Sequence, residues 1–163
     1  MSRRIELIGS FLVASLAAAI AAPVWEAKDG VVFPPEKAKT LLAQCSRGTP
    51  SGVTGFWAPQ PAQIAQLEIL LPALLENRLS GQPHPPVQYY KRQYAGLVMQ
   101  NRKVIYVNGF ASYPDPPYDK KTRESGEWRT NPQMVCDGGN GYFGVGYDPQ
   151  TKKFEGLAFN GVA

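Results

Sequence analysis

The chain has 163 residues and a formal net charge of +4 at pH 7, a mild excess of lysine and arginine over aspartate and glutamate. This charge is too weak to indicate nucleic-acid binding. One histidine and two cysteines exclude most zinc sites and most nucleophile–base pairs. The composition therefore predicts no metal site and no cofactor.

Residues 1–21 have the pattern of a secretory signal peptide. Two arginines supply a positive start, and residues 7–21 form an apolar run that is short for a membrane span. Small residues end this run, so we expect signal peptidase to cleave after Ala21; an uncleaved anchor is the alternative. The remaining residues 22–163 are long enough for one domain, which would be periplasmic or secreted and without a stable membrane anchor.

Cys45 and Cys136 are the only cysteines, and an exported compartment is oxidising. They permit a single intramolecular disulfide bond, which we expect to join the first helix to the sheet. A catalytic thiol is the alternative, but the chain offers no evident histidine partner for it.

Two helices are predicted before the sheet. Pro34-Pro35 opens a short one, in which an aliphatic stripe at helical spacing ends at Cys45 and directs this cysteine inward. Residues 46–59 have loop composition, and their aromatic pair, Phe56-Trp57, is expected to pack back into the core.

The main helix is predicted to begin at Pro61 and to end before Gly81. Pro72 should kink it near Glu68 or divide it. We expect this helix to lie across the sheet, because aliphatic residues cover about half of its circumference. They are Ile64, Leu67, Leu70, Leu71, Leu74, Leu75 and Leu79.

Residues 87–110 predict a β-hairpin, because tyrosine, valine and isoleucine are frequent on both sides of a short polar break. A tight turn at Asn101-Arg102 would pair Gln100 with Lys103 and fix the register of every other pair. Both faces are apolar near the turn, so we expect the hairpin inside a larger sheet.

The second half of the chain predicts a long connection and then three short strands. Residues 112–131 have balanced charges, and Tyr113, Tyr118 and Trp128 are candidate anchors for them. Turn-forming residues separate the predicted strands, which cover residues 133–136, 142–147 and 154–159. The order of elements predicts a single-domain α+β fold, with amphipathic helices packed on an antiparallel, meander-like sheet.

Two stretches, RQYAGLVMQNRKVIYVNGF and CDGGNGYFGVGYDPQTKKFEGLAFNG, resemble a group of small, exported bacterial proteins to which no activity is attached. The resemblance covers roughly residues 55–161. It implies an exported bacterial domain and no catalytic residues. The order of helix and meander is also similar to that of cystatin-like folds, an analogy of architecture alone.

Three functional classes remain open. The first is an exported binding protein that recognises or inhibits another protein, and the second is a structural component of the envelope. The third is a cell-envelope hydrolase using carboxylates around Asp137, which is otherwise an ordinary turn residue. Repeats and low-complexity segments, the usual marks of a structural component, are missing from the sequence. We therefore expect a binding protein with a possible protein partner, no nucleic-acid partner and no catalytic residue.

The expected binding surface is one end of the sheet, where two turns would meet. In a meander that includes strand 133–136, the hairpin turn and the glycine-rich turn lie at the same end. The alternative is that both are ordinary hairpin tips. The candidate binding residues are Asn101, Arg102, Asp137, Asn140 and Tyr142.

Overall fold

The computed structural model describes residues 25–112 and 126–162. In these ranges one sheet contains seven strands: β1 (Trp25–Ala27), β2 (Gly30–Val32), β3 (Val53–Trp57), β4 (Tyr90–Met99), β5 (Arg102–Ala111), β6 (Tyr142–Asp148) and β7 (Lys153–Phe159). Two α-helices accompany it, α1 (Pro35–Ala38) and α2 (Pro61–Leu79), and α1 continues as a 3-10 turn over Lys39–Leu42. The predicted signal peptide and the candidate anchors Tyr113 and Tyr118 lie outside the described residues.

Strand β4 is the centre of the sheet because both of its edges are paired. One edge carries β5, from which the sheet continues as an antiparallel meander through β6 to β7. The other edge is shared, since β2 pairs with residues 92–94 in parallel and β3 pairs with residues 96–99 in antiparallel. The predicted α+β fold is confirmed, with a mixed rather than purely antiparallel sheet.

The β4–β5 hairpin forms, but its register differs from the predicted one by two residues. Gln100 and Asn101 make the turn with φ angles of 48° and 61°, and Met99 pairs with Arg102. Two consecutive left-handed residues match the twist of a tight hairpin, so the turn lies one residue earlier than predicted. Because side chains alternate with period two, the shift leaves every residue on its predicted face.

Both faces of the sheet are buried. On one face α2 covers Tyr94, Ile105 and Val107. On the other face α1 and the segment around Trp128 cover Leu97 and Tyr106. This burial on two sides explains why the hairpin is apolar on both faces.

Helix α2 confirms the predicted main helix. It runs from Pro61 to Leu79 as one helix, so Pro72, which is exposed, does not divide it. Gly81 follows with a φ of 77°, which only glycine adopts without strain. The buried residues of α2 are Ile64, Leu67, Leu71, Leu75 and Leu79. Burying each of them contributes about 1.5–3 kcal/mol by transfer energies.

Two segments form strands that the sequence did not predict. Residues 53–57, expected as a loop, form β3, and alternation places Phe56 and Trp57 against opposite faces of the sheet. Residues 25–32 contribute β1 and β2, and β2 is fully buried beside β4. All three strands are short, and β4, to which β2 and β3 are hydrogen-bonded, is remote in sequence, so local composition carries little sign of them.

Residues 133–136 do not form the predicted strand. Side chains of the sheet bond the backbone there: the Gln133 N–H donates to Gln93 Oε1 at 2.9 Å, and its carbonyl accepts from Asn108 Nδ2 at 2.9 Å. The segment therefore lies over the face of the sheet instead of joining its ladder. Its backbone groups are satisfied without a neighbouring strand.

Candidate functional site

The predicted binding residues of the hairpin turn belong to a cluster of charges. Asn101 and Arg102 are exposed at the turn, and Arg102 forms ion pairs with Asp148 at 3.2 Å and Glu155 at 3.4 Å. Burial acts to raise the pKa of Asp148, but the backbone N–H groups of Thr151 and residue 150 and the guanidinium together hold it below its ordinary value. These contacts order the tips of two hairpins.

The other predicted residues lie at the opposite end of the sheet. Tyr142 begins β6 opposite Phe110, near the end of β5, whereas Arg102 begins β5. Asn140 Nδ2 donates to the carbonyl of Pro83 at 3.0 Å and so fixes the connector after α2. Asp137 is exposed on the loop before β6.

The prediction of one surface containing all five residues is therefore wrong. It depended on strand 133–136, which would have added one reversal of chain direction before the glycine-rich turn. Without that strand β5 is followed directly by β6 in the meander, and the glycine-rich turn lies near the end of β5. The sheet brings Asp137, Asn140 and Tyr142 together and separates them from Asn101 and Arg102.

Cys45 and Cys136 form the predicted disulfide, with Cα atoms 5.1 Å apart. The structure corrects its placement, because both cysteines are exposed and neither lies in a helix or a strand. The helical stretch ends at Leu42, so the stripe that was expected to direct Cys45 inward stops one turn earlier. The bond joins two loops over the face of the sheet opposite α2.

Beneath the disulfide lies a buried polar network centred on Arg47, which is 9% exposed. Its guanidinium donates to the side-chain oxygens of Asn108 and Asn160. Asn160 Nδ2 in turn donates to the carbonyls of Val135 at 2.6 Å and Asp137 at 2.9 Å. In the described part of the chain no carboxylate forms an ion pair with Arg47, and the side-chain amide oxygens of Asn108 and Asn160 solvate its charge.

Gln93 extends this network along the sheet. It is completely buried, and its Nε2 donates to the carbonyls of Trp128 at 2.5 Å and Asn131 at 2.8 Å. Its Oε1 accepts from Asn108 Nδ2 at 2.9 Å. The network therefore fastens residues 128–137 to the sheet. The polar side chains of the network are hydrogen-bonded within the protein, which indicates a structural role.

Close packing explains one glycine of β6. A Cβ on Gly144 would lie 2.4 Å from the Tyr106 hydroxyl and 2.9 Å from Arg47 Nε. Burial raises the pKa of Tyr106 above its ordinary value, although the Arg47 guanidinium acts in the opposite direction. Only glycine leaves room for these two polar groups against the strand.

A second polar cluster fastens α2 to the sheet. Glu68 accepts from the Tyr94 hydroxyl at 2.5 Å and forms an ion pair with Arg92 at 2.8 Å. Burial raises the pKa of Tyr94 well above its ordinary value, and the Glu68 carboxylate adds to this effect. A phenol held neutral beside a paired carboxylate acts as a hydrogen-bond donor to the helix.

The outward side of α2 is apolar as well. We call it the outer face of α2 and define it by five exposed residues at helical spacing: Ala62, Ala65, Ile69, Pro72 and Ala73. Ile69 is 77% exposed, and Leu70 beside it is 37% exposed. A surface helix normally carries polar residues on its outward side, so an apolar outer face is a candidate docking surface.

Sequence reasoning missed this face because it counted only the side of the helix that enters the core. The signal was present, since alanine, isoleucine and proline occupy positions between the buried leucines. A helix that carries apolar residues outside its buried stripe as well is a candidate for burial on a second side. The outer face of α2 is the candidate functional site.

No group of three or more His, Cys, Asp or Glu side chains that could hold a metal ion occurs in residues 25–112 and 126–162. Within the same ranges, no helix has the length and apolar content needed to cross a membrane. In comparisons with known proteins, no family model, no curated protein and no solved structure matches the chain.

Proposed function

We propose that this protein is an exported binding protein that docks a protein partner on the outer face of α2. The observation that carries the proposal is the exposure of Ile69, at 77%, in the middle of a long helix that is already anchored to the sheet by its opposite side. Burying an aliphatic side chain of this size is favourable by about 1.5–3 kcal/mol relative to leaving it in water.

The anchoring of α2 supports this function. The Glu68–Tyr94 hydrogen bond and the Glu68–Arg92 ion pair hold the helix at its middle, next to Ile69 in the chain. A docking surface on a rigid element loses little conformational freedom when a partner binds. The outer face of α2 is preorganised in this sense.

Export is the second part of the proposal. The signal-like residues 1–21 and the disulfide between two exposed cysteines support it, because such a bond persists in an oxidising compartment. Mass spectrometry of the protein from its native compartment should give a mature chain that begins at Ala22 or within a few residues of it. Recovery of chains that retain Met1 would contradict cleavage.

A hydrolase centred on Asp137 receives no support from a specific contact. Its carboxylate is exposed, and among the described residues it has neither an ion pair nor a hydrogen bond. An exposed carboxylate without such a contact does not have the buried environment that a hydrolytic pair needs. We therefore propose binding, and not hydrolysis, as the function.

The test is site-specific photo-crosslinking in the intact cell. A photoreactive amino acid at Ile69 should yield a discrete adduct with another protein chain. The same amino acid at Met134, which is 58% exposed on the opposite side of the sheet, is the matched control and should not. Equal yields from the two positions, or no adduct from position 69, would refute docking on this face.

A further inference from the structure

We propose that the partner on the outer face of α2 is a second copy of this chain, and that two α2 helices pack in antiparallel about a twofold axis at Ile69. This inference rests on the proposed function, because it names the occupant of the same face. A twofold contact uses one patch on both copies, so that patch must complement itself in shape and in charge.

The spacing of the outer face meets the first requirement. Ile69 lies at the middle of the helix, with Ala65 four residues before it and Ala73 four residues after it. In an antiparallel pair centred on Ile69, this residue meets its own copy, and Ala65 lies across from residues 72–73 of the second chain. Small residues on both sides of a large one let two helices approach to about 8–10 Å between axes.

The charges at the ends of α2 meet the second requirement. The first turn of α2 contains no acidic residue, although negative charge is favourable there. Glu76 is exposed in the last turn, and it has no ion pair within the described ranges. The antiparallel arrangement brings Glu76 of each copy to the first turn of the other, near Ala62. A parallel pair would instead place like ends together.

The self-complementarity decides between the possible occupants. A membrane surface would favour basic residues beside the apolar stripe. Glu76 and Arg78 are both exposed on α2, but the helical spacing of the outer face continues to Glu76 and not to Arg78. An unrelated protein would not require matching small residues four positions before and after Ile69, as Ala65 and Ala73 are. Each residue of a twofold contact occurs twice, so one substitution removes two contacts.

The first experiment measures association by sedimentation equilibrium, using the purified protein with its disulfide intact. The wild type should form dimers in the micromolar to millimolar range. Ile69→Glu should weaken the dimer at least tenfold, about the effect of 1.4 kcal/mol, and Met134→Glu should leave it unchanged. Circular dichroism should show that both variants are folded.

The second experiment tests the antiparallel register with added cysteines. Ile69→Cys should give a crosslinked dimer by itself under mild oxidation. An equimolar mixture of Ala65→Cys and Ala73→Cys chains should crosslink into mixed pairs more than either variant does alone, because position 65 lies across from position 73. Preferential crosslinking of Ala65→Cys to itself would indicate a parallel pair and overturn the arrangement.

The outcomes separate this inference from the proposed function. A wild type that stays monomeric at millimolar concentration overturns the second copy as the occupant. The proposed function then still stands if the probe at position 69 captures a different protein in the cell. Flotation of monomers with anionic phospholipid vesicles, lost in Ile69→Glu, would assign the face to a membrane and overturn the inference. If the protein forms no dimer and the probe at position 69 gives no adduct, both the inference and the proposed function are overturned.

Discussion

Removing the disulfide tests the physical basis of stability most directly. The proposed change is the double variant Cys45→Ser plus Cys136→Ser. Both cysteines are exposed, so serine loses little packing and gains no buried polar group. The Arg47 network beneath the bond remains in place. The main effect should therefore fall on the unfolded chain.

The expected magnitude follows from the loop that the bond closes. Its cysteines are 91 residues apart in sequence. For a loop of that length the chain-entropy relation gives a stabilisation of about 4.6 kcal/mol at room temperature. A domain of this size has a total free energy of unfolding of about 5–15 kcal/mol. Loss of the bond should therefore remove a large part of the free energy of unfolding without changing the native fold.

The assay is equilibrium unfolding in urea, followed by circular dichroism. The oxidised wild type, the reduced wild type and the double variant should be compared, and the last two should coincide. The free energy of unfolding of these two should fall more steeply with urea concentration than that of the oxidised wild type, because an unfolded chain without the crosslink exposes more surface. A loss below about 1 kcal/mol would refute the reasoning, since it would mean that the unfolded ensemble is not expanded by opening the loop.

Three further substitutions probe the interior by the same unfolding assay. Arg47→Met should cost about 2–4 kcal/mol, because two buried asparagine oxygens lose their donor; a neutral result would contradict the structural role of the network. The pKa of Tyr94 is raised in the folded protein. The contribution of Tyr94 to stability is therefore complete below its pKa in the unfolded chain, about 10, and is lost as pH rises towards its pKa in the folded protein. Tyr94→Phe should therefore lower stability at neutral pH, through the lost bond to Glu68, yet decline less steeply above about pH 10 than the wild type. Gly109→Ala should lower the free energy of unfolding by about 1–3 kcal/mol, because the new Cβ would lie 2.1 Å from the Phe143 ring. If the variant is as stable as the wild type, the ring can move aside freely and this reasoning is wrong.

Sequence reasoning succeeded where a pattern is local. The leucine spacing from Ile64 to Leu79 predicted α2, and the alternation around the Gln100-Asn101 turn assigned the correct faces to β4 and β5. It failed where a segment depends on a distant partner. Residues 133–136 have strand composition, but their backbone is bonded by Gln93 and Asn108, which no local pattern reveals.

The predicted site failed for a related reason. Placing Arg102 beside Asp137 required counting strands correctly, and one false strand exchanged the two ends of the sheet. The candidate site on α2 required a different question, namely which helix residues remain exposed after the core is filled. Periodicity identifies the buried side of Ile64 and Leu67, but it does not show that Ile69 remains 77% exposed in the described structure.

The shared edge of β4 has a consequence for the order in which the protein is assembled. β2 and β3 are made before α2, yet the strand to which both pair begins only at Tyr90. Neither segment can reach its final hydrogen bonds until that strand has emerged, and Cys45 must wait longer still for Cys136. Contacts between such distant parts of a chain form slowly. The sheet can therefore close only after the central hairpin has been made, however early β2 and β3 are available.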